Sequence, residues 1–169
     1  MKLSDQELET IGEFEKVGKA IINGPWEDEQ VISSISVLEA MTAFLEGWNA
    51  DRSLLLRLQN KKEDFWTMVR ARKLEIKVQE PEEFSFFVNE KKQIIDKKTA
   101  EEFKKAGMLV LGWEQNDYDL LLTLKILNPV IAFLQGWGED GSILCRLEDK
   151  REDFSFYVRR RKNLSEEEQ

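Results

Sequence analysis

The chain has 169 residues, of which 41% are hydrophobic and 34% are charged, and it carries a net charge of -8. This composition is that of a soluble globular protein with enough residues for a core, and the acidic charge argues against general adhesion to nucleic acid or anionic membranes. Histidine is absent, which excludes imidazole-based triads and removes the commonest general base and metal ligand.

The cysteine content and the lack of targeting signals point to a reducing compartment. Cys145 is the only cysteine, so no intrachain disulfide can form. We interpret it as a small buried hydrophobic residue, because the matching position of the repeat described below holds Leu56. The N-terminus has no apolar signal-peptide core, and the longest apolar run, Leu120 to Leu134, is shorter than the roughly 20 residues of a membrane helix. We therefore expect a cytoplasmic protein without membrane contact.

No motif in the sequence indicates a cofactor or a metal. There is neither a glycine-rich phosphate loop nor a nucleophile elbow, and zinc sites built from Cys and His are excluded. The acidic pairs Glu63-Asp64 and Glu152-Asp153 could act as acid/base carboxylates or hold Mg²⁺. Lys and Arg residues flank both pairs, which favours solvated charges instead. We expect no cofactor.

One stretch of the sequence occurs twice. Residues 44–73 match residues 133–162 without a gap, at a constant offset of 89 residues. Identities include Gly47-Trp48 with Gly136-Trp137, Arg57-Leu58 with Arg146-Leu147, and Glu63-Asp64-Phe65 with Glu152-Asp153-Phe154. The match extends to the first helix of each copy, where Gly18 matches Gly107. The duplication predicts two copies of one structural unit that pack around a pseudo-twofold axis with a shared core.

The first copy is expected to hold two helices followed by two β-hairpins. Residues 4–23 form an amphipathic helix with a capping box at Ser4, and a second helix runs from about Trp26 to Glu46 and stops at Gly47. After it, apolar residues alternate over 54–58 and 65–69 around a polar connection, which predicts a hairpin. A second hairpin is expected over residues 74–88.

The second copy is expected to repeat this order without the extra hairpin. Thr99 begins its first helix with a capping-box spacing, and its second helix covers residues 117–135, where Pro129 should kink or split it. The last hairpin covers residues 143–147 and 154–158. The expected organisation is repeat 1 at 1–89, a linker at 90–98, repeat 2 at 99–163 and an acidic tail at 164–169.

The expected fold class is α+β: two tandem helix-helix-β-hairpin repeats whose helices cover an antiparallel sheet. A helical interpretation of the hairpin segments competes with it, because Phe65, Met68 and Val69 also have helical spacing, as do Phe154, Tyr157 and Val158. Strands are preferred because residues 74–78 have a strand-like composition.

Two basic runs and two tryptophans are the candidate partner-binding residues. The set is Arg70, Arg72, Lys73, Arg159, Arg160, Arg161, Lys162, Trp48 and Trp137. On strands, Arg70 and Arg72 would share a face, as would Arg159 and Arg161. The alternatives are edge protection by the basic residues and simple packing of each indole at the seam between helices and sheet.

These observations favour a non-enzymatic intracellular protein-binding module: a regulator, inhibitor, adaptor or immunity-type protein whose partner has an acidic contact surface. The alternative is a nucleic-acid-binding protein that uses the basic ends Arg70–Lys73 and Arg159–Lys162. An enzyme that uses carboxylates and a divalent metal is the third hypothesis.

Overall fold

The computed structural model describes residues 5–22, 25–48, 52–74, 77–78, 93–94, 97–111, 116–138 and 141–161. In these residues the chain forms six helices: α1 (Asp5–Ile22), α2 (Asp28–Trp48), α3 (Arg52–Arg72), α4 (Lys97–Leu109), α5 (Asp117–Trp137) and α6 (Gly141–Arg160). Two strands of two residues each, β1 (Lys77–Val78) and β2 (Gln93–Ile94), pair in parallel.

The expected α+β fold class is wrong, because the repeated segments 54–69 and 143–158, each expected to be a hairpin, are single helices. In α3 the buried residues Leu54, Leu58, Phe65 and Val69 follow helical spacing. Leu56, which a strand would bury beside its neighbours, is 56% exposed. In α6 the matching residues Ile143, Leu147, Phe154 and Val158 are buried. The competing helical interpretation is the correct one, and it applies equally to both copies.

The polar stretch in the middle of each segment is the outer surface of a helix and not a turn. Neither 52–72 nor 142–160 contains glycine or proline, and both are rich in Leu, Lys, Arg and Glu, which are good helix formers. The same geometry corrects the interpretation of Cys145, whose side chain is exposed and not buried.

Several other predicted features differ in detail or lie outside the described residues. α4 begins at Lys97, so Thr99 lies within the helix and not at its start, and α5 passes through Pro129 without a break. Of the hairpin expected over 74–88, Lys77–Val78 is described, and it pairs in parallel with Gln93–Ile94 in the segment expected to be a linker. The cap expected at Ser4 lies outside the described residues.

The first helix of each repeat packs on the second helix of the other repeat. α1 lies along α5 and α4 lies along α2, whereas α3 packs on α2 and α6 on α5 within one repeat. Phe14 and Phe103, which are equivalent residues of the two copies, stack on each other with ring centroids 5.9 Å apart. The pseudo-twofold axis therefore passes between these two rings, and one core serves both repeats.

Glycines allow the exchanged helices to cross closely. A Cβ atom at Gly18 would clash with the backbone oxygen of Phe133, and one at Gly136 would clash with that of Glu15. The equivalent crossing of α4 and α2 has the same contacts at Gly107 and Gly47. Gly47 and Gly136 were expected to stop their helices, but α2 and α5 each continue to the following tryptophan.

The two central helices are apolar nearly all round. α2 and α5 are each 21 residues long and have the length and composition of a membrane-spanning helix. Within the protein, 78% and 67% of their apolar windows are buried. Core helices of globular proteins have the same composition, so composition alone does not distinguish a membrane-spanning helix from a core helix. The burial of α2 and α5 is that of core helices.

Candidate functional site

The side chains of Arg72 and Arg161 pair with groups of the protein itself. Arg72 Nη1 donates to Asp28 Oδ1 at 3.1 Å and to the backbone oxygen of Trp26 at 2.8 Å. Arg161 Nη1 donates to Asp117 Oδ1 at 2.7 Å. Each pair joins the end of the third helix of a repeat to the start of its second helix, where the helix dipole also favours the aspartate. These two arginines therefore join two helices within each repeat.

The other basic candidates lie at the ends of α3 and α6 without forming the expected face. Residues two apart on a helix are about 200° apart, so the shared-face argument based on strands is wrong for Arg70 with Arg72 and for Arg159 with Arg161. Arg70 Nη2 donates to Thr67 Oγ1 at 3.3 Å. Arg159 and Arg160 are exposed. Lys73 ends α3 with a left-handed backbone at φ 54°, and Lys162 lies outside the described residues.

Trp48 and Trp137 each carry an arginine from the opposite repeat. The guanidinium carbon of Arg146 lies 5.0 Å from the ring centroid of Trp48, and that of Arg57 lies 5.0 Å from the ring centroid of Trp137. Trp48 is buried and Trp137 is half-buried.

These two cation–π contacts link the third helix of each repeat to the second helix of the other. The indoles also lie beside Phe44 and Phe133, at 6.1 Å and 6.0 Å between ring centroids. The tryptophans are therefore part of the interface between repeats. The sequence contains a signal for this contact, because Arg57 and Arg146 occupy equivalent positions of the two copies. It does not show that each arginine contacts the tryptophan of the other repeat.

A first exposed aromatic–cation pair lies where α4 meets the start of α5. Tyr118 is 61% exposed, and Lys105 Nζ lies 5.6 Å from the centroid of its ring. Lys105 Nζ also contacts Asp119 Oδ1 at 3.4 Å, and the backbone N–H of Asp119 donates to the Asn116 side chain that caps α5. Met108, one turn further along α4, is 54% exposed. We call Tyr118, Lys105 and Met108 the Tyr118 patch.

A second exposed aromatic–cation pair lies near the end of α6. Phe156 is 47% exposed, and the guanidinium carbon of Arg160 lies 5.5 Å from its ring centroid. Tyr157 packs edge-on against the same ring at 6.3 Å between centroids. Sequence reasoning included Arg160 but missed Phe156, Tyr118 and Lys105, because an exposed aromatic residue cannot be told from a core residue before the helix face is known.

The acidic pairs remain solvated charges. Glu63, Asp64, Glu152 and Asp153 are all exposed on the outer faces of α3 and α6, on helices and not in hairpin loops. In the described part of the chain, no three His, Cys, Asp or Glu side chains are grouped as a metal site requires.

Comparisons of the chain with protein-family models, with curated proteins and with solved structures give no match.

Proposed function

We propose that the protein is a non-enzymatic protein-binding module of the cytoplasm, a regulator, inhibitor, adaptor or immunity-type protein that acts through its second repeat on a protein with an acidic contact surface. One observation carries the proposal. Among the described residues, the two exposed aromatic side chains are Tyr118 and Phe156, both belong to repeat 2, and each has a cation over its ring. The equivalent positions of repeat 1 hold Glu29 and Thr67.

The comparison between repeats separates folding from recognition. Repeat 1 forms the same three helices with Glu29 and Thr67 at these positions, so the fold does not need aromatic residues there. Exposed aromatic rings are costly in water, and aromatic residues and arginine are enriched among the residues that dominate binding energy in protein interfaces. The two rings of repeat 2 are therefore better explained by a partner than by the fold.

The charge at these rings favours an acidic partner. The protein as a whole is acidic, with a net charge of -8, so each cation held on an exposed ring is a positive charge within an acidic surface, and that of Lys105 is shared with Asp119. Lys105 and Arg160 would each face a carboxylate of the partner while the ring is covered, and such a charge pattern favours one orientation of the complex over others. Membrane contact is not part of the proposal.

The test compares how much protein the immobilised wild type and single-residue variants retain. We expect the immobilised wild type to retain a protein from a lysate of the source cells. The Tyr118→Glu variant should retain at least about tenfold less of it. This substitution gives repeat 2 the residue of repeat 1 at a helix start, where acids are favourable. Leu56→Thr removes an exposed apolar residue from repeat 1 and is the matched control.

The retained protein should then bind in purified form, with an affinity that falls as salt is raised because its carboxylates face Lys105. Equal retention by the wild type and Tyr118→Glu would contradict the proposed surface. Binding of oligonucleotides that is lost when Arg70, Arg159 and Arg160 are replaced would favour the nucleic-acid alternative instead. A thermal shift with Mg²⁺ or Mn²⁺ would favour a metal-dependent enzyme.

A further inference from the structure

The outer face of α6 carries an exposed phenylalanine between two acids and two arginines. Phe156 is two residues from the buried Phe154, about 200° around the helix axis, so it points away from the core. The acids precede it by three and four residues and the arginines follow it by three and four residues, and all four are exposed. We call these residues the Phe156 stripe: Glu152, Asp153, Phe156, Arg159 and Arg160.

The charges of the Phe156 stripe are self-complementary about its centre. If two copies of α6 lie antiparallel with a twofold axis at Phe156, a residue that precedes position 156 in one copy faces the residue that follows it by the same interval in the other. Glu152 and Asp153 of each copy then face the two arginines of the other copy. A parallel arrangement would set acids against acids and arginines against arginines, so the pattern selects the antiparallel one.

We propose that the chain self-associates through the Phe156 stripe, as an antiparallel pair of α6 helices related by a twofold axis. The inference rests on the proposed function, because it names a second copy of the chain as the occupant of one of its two surfaces. The Tyr118 patch keeps its separate partner. Glu152 and Asp153 of each copy form the acidic contact surface for the other copy.

The structure indicates a weak dimer. The stripe covers about two and a half helical turns, which is small beside the roughly 1,600 Å² of a standard protein interface. Removing the two Phe156 rings from water supplies the attraction. The charged residues on either side lie at the rim, where pairs add little affinity but fix the orientation. Association should therefore depend on concentration and salt.

Repeat 1 provides an internal comparison for the stripe. The outer face of α3 keeps the two acids, as Glu63 and Asp64, and one arginine, as Arg70. At the positions of Phe156 and Arg160 it has Thr67 and Ala71. It therefore lacks the apolar centre and the second arginine, and α3 is not expected to pair with itself. The double variant Phe156→Thr/Arg160→Ala gives α6 the outer face of α3.

The first measurement is sedimentation equilibrium of the purified full chain up to about 1 mM. The wild type should show a monomer–dimer equilibrium, and Phe156→Thr/Arg160→Ala should raise its dissociation constant at least about tenfold. Leu56→Thr, which removes an exposed apolar residue from α3, should leave it unchanged. Helical circular dichroism of each variant checks its folding. A chain that is monomeric throughout, or a double variant that dimerises like the wild type, overturns the proposal.

The second measurement exploits the self-complementary charges. Glu152→Arg/Asp153→Arg makes the stripe wholly basic, and Arg159→Glu/Arg160→Glu makes it wholly acidic. Each variant alone should be monomeric, while their equimolar mixture should form a one-to-one heterodimer that weakens with salt. Mixing the acidic variant with Glu63→Arg/Asp64→Arg, which has the same added charge on α3, should give no heterodimer.

A mixture that stays monomeric, or variants that each dimerise alone, would overturn the antiparallel pairing. These measurements use only the purified chain. Their failure is therefore distinct from failure of the Tyr118→Glu capture experiment, which tests recognition of another protein.

Discussion

The two repeats share the contacts that join them and differ at several positions that face solvent. Glycine crossings, Arg–Trp contacts and Arg–Asp pairs all occur in both copies at equivalent positions. Some buried positions differ, such as Thr42 and Ile131. The exposed positions that differ include Lys19 and Met108, Glu29 and Tyr118, Thr67 and Phe156, Ala71 and Arg160. The contacts that both copies retain are those on which the fold depends, and the outer residues of repeat 2 are additional to them.

Exchange of the first helices explains why the contacts between the repeats occur in equivalent pairs. Because α1 covers α5 and α4 covers α2, neither repeat completes its core with its own helices. A change in one copy therefore alters the packing of the other. Equivalent positions meet equivalent surroundings, so they should respond alike to the same substitution.

The largest effect is expected from the buried phenylalanines near the C-terminal ends of α2 and α5. Phe44 and Phe133 are fully buried and occupy equivalent positions. Truncation of either to Ala should lower the free energy of unfolding by about 3–5 kcal/mol, because it removes apolar contacts and leaves a cavity. Denaturant unfolding measures both variants. Costs below about 0.5 kcal/mol, or a large cost in one variant alone, would contradict a shared core.

The next largest effect is expected at the helix crossings. Gly18→Ala should destabilise the protein by about 1–3 kcal/mol or more, because the added Cβ meets the backbone of α5 and the helices must separate. Gly107→Ala should do the same at the equivalent crossing. Gly12→Ala in α1 is the matched control: nothing lies within 4 Å of its Cβ position, and Ala should stabilise the helix there by about 0.5–1 kcal/mol. Equal effects at Gly12 and Gly18 would contradict the close crossing.

Sequence reasoning found the duplication and four of the helices but not the class of fold. The error has one physical source. Leu54, Leu56 and Leu58 satisfy a strand period, and only Leu54 and Leu58 satisfy a helical one. The absence of glycine and proline from 52–72 was the better signal, because a hairpin needs a turn that the sequence could not supply.

The candidate site could be predicted only in part, for a related reason. The faces of a helix cannot be assigned until its neighbours are known, and the exchange of α1 and α4 is a long-range property that no local period encodes. Arg72 and Arg161 were therefore grouped with surface residues, although they bridge helices. Phe156 was treated as part of a strand, although it lies opposite the core.

Smaller effects are expected from the two Arg–Asp pairs. Arg72→Met and Arg161→Met should each lower the free energy of unfolding by about 0.5–1 kcal/mol, because the paired side chains remain partly exposed and are screened by solvent. Thermal or denaturant unfolding in low salt measures the change, and the difference from wild type should shrink in high salt. A loss that does not respond to salt would indicate that packing of the side chain, and not its charge, is what matters.

Effects of similar small size are expected from the crossed cation–π contacts, and here the repeats should differ. The two guanidinium carbons lie at the same distance of 5.0 Å from their rings, but Trp48 is 6% exposed and Trp137 is half-buried. Cation–π attraction is about 0.5–1 kcal/mol at exposed sites and rises when the partners are desolvated.

We therefore expect a larger coupling energy for Arg146 with Trp48 than for Arg57 with Trp137. Double-mutant cycles with Arg→Met and Trp→Leu isolate each coupling from the other contacts of these residues. The arginine variants alone are not sufficient, because Arg57 takes part in further interactions. If the Arg57–Trp137 coupling is equal or larger, burial of the ring does not control the strength of the contact, and the two copies are equivalent at this interface as well.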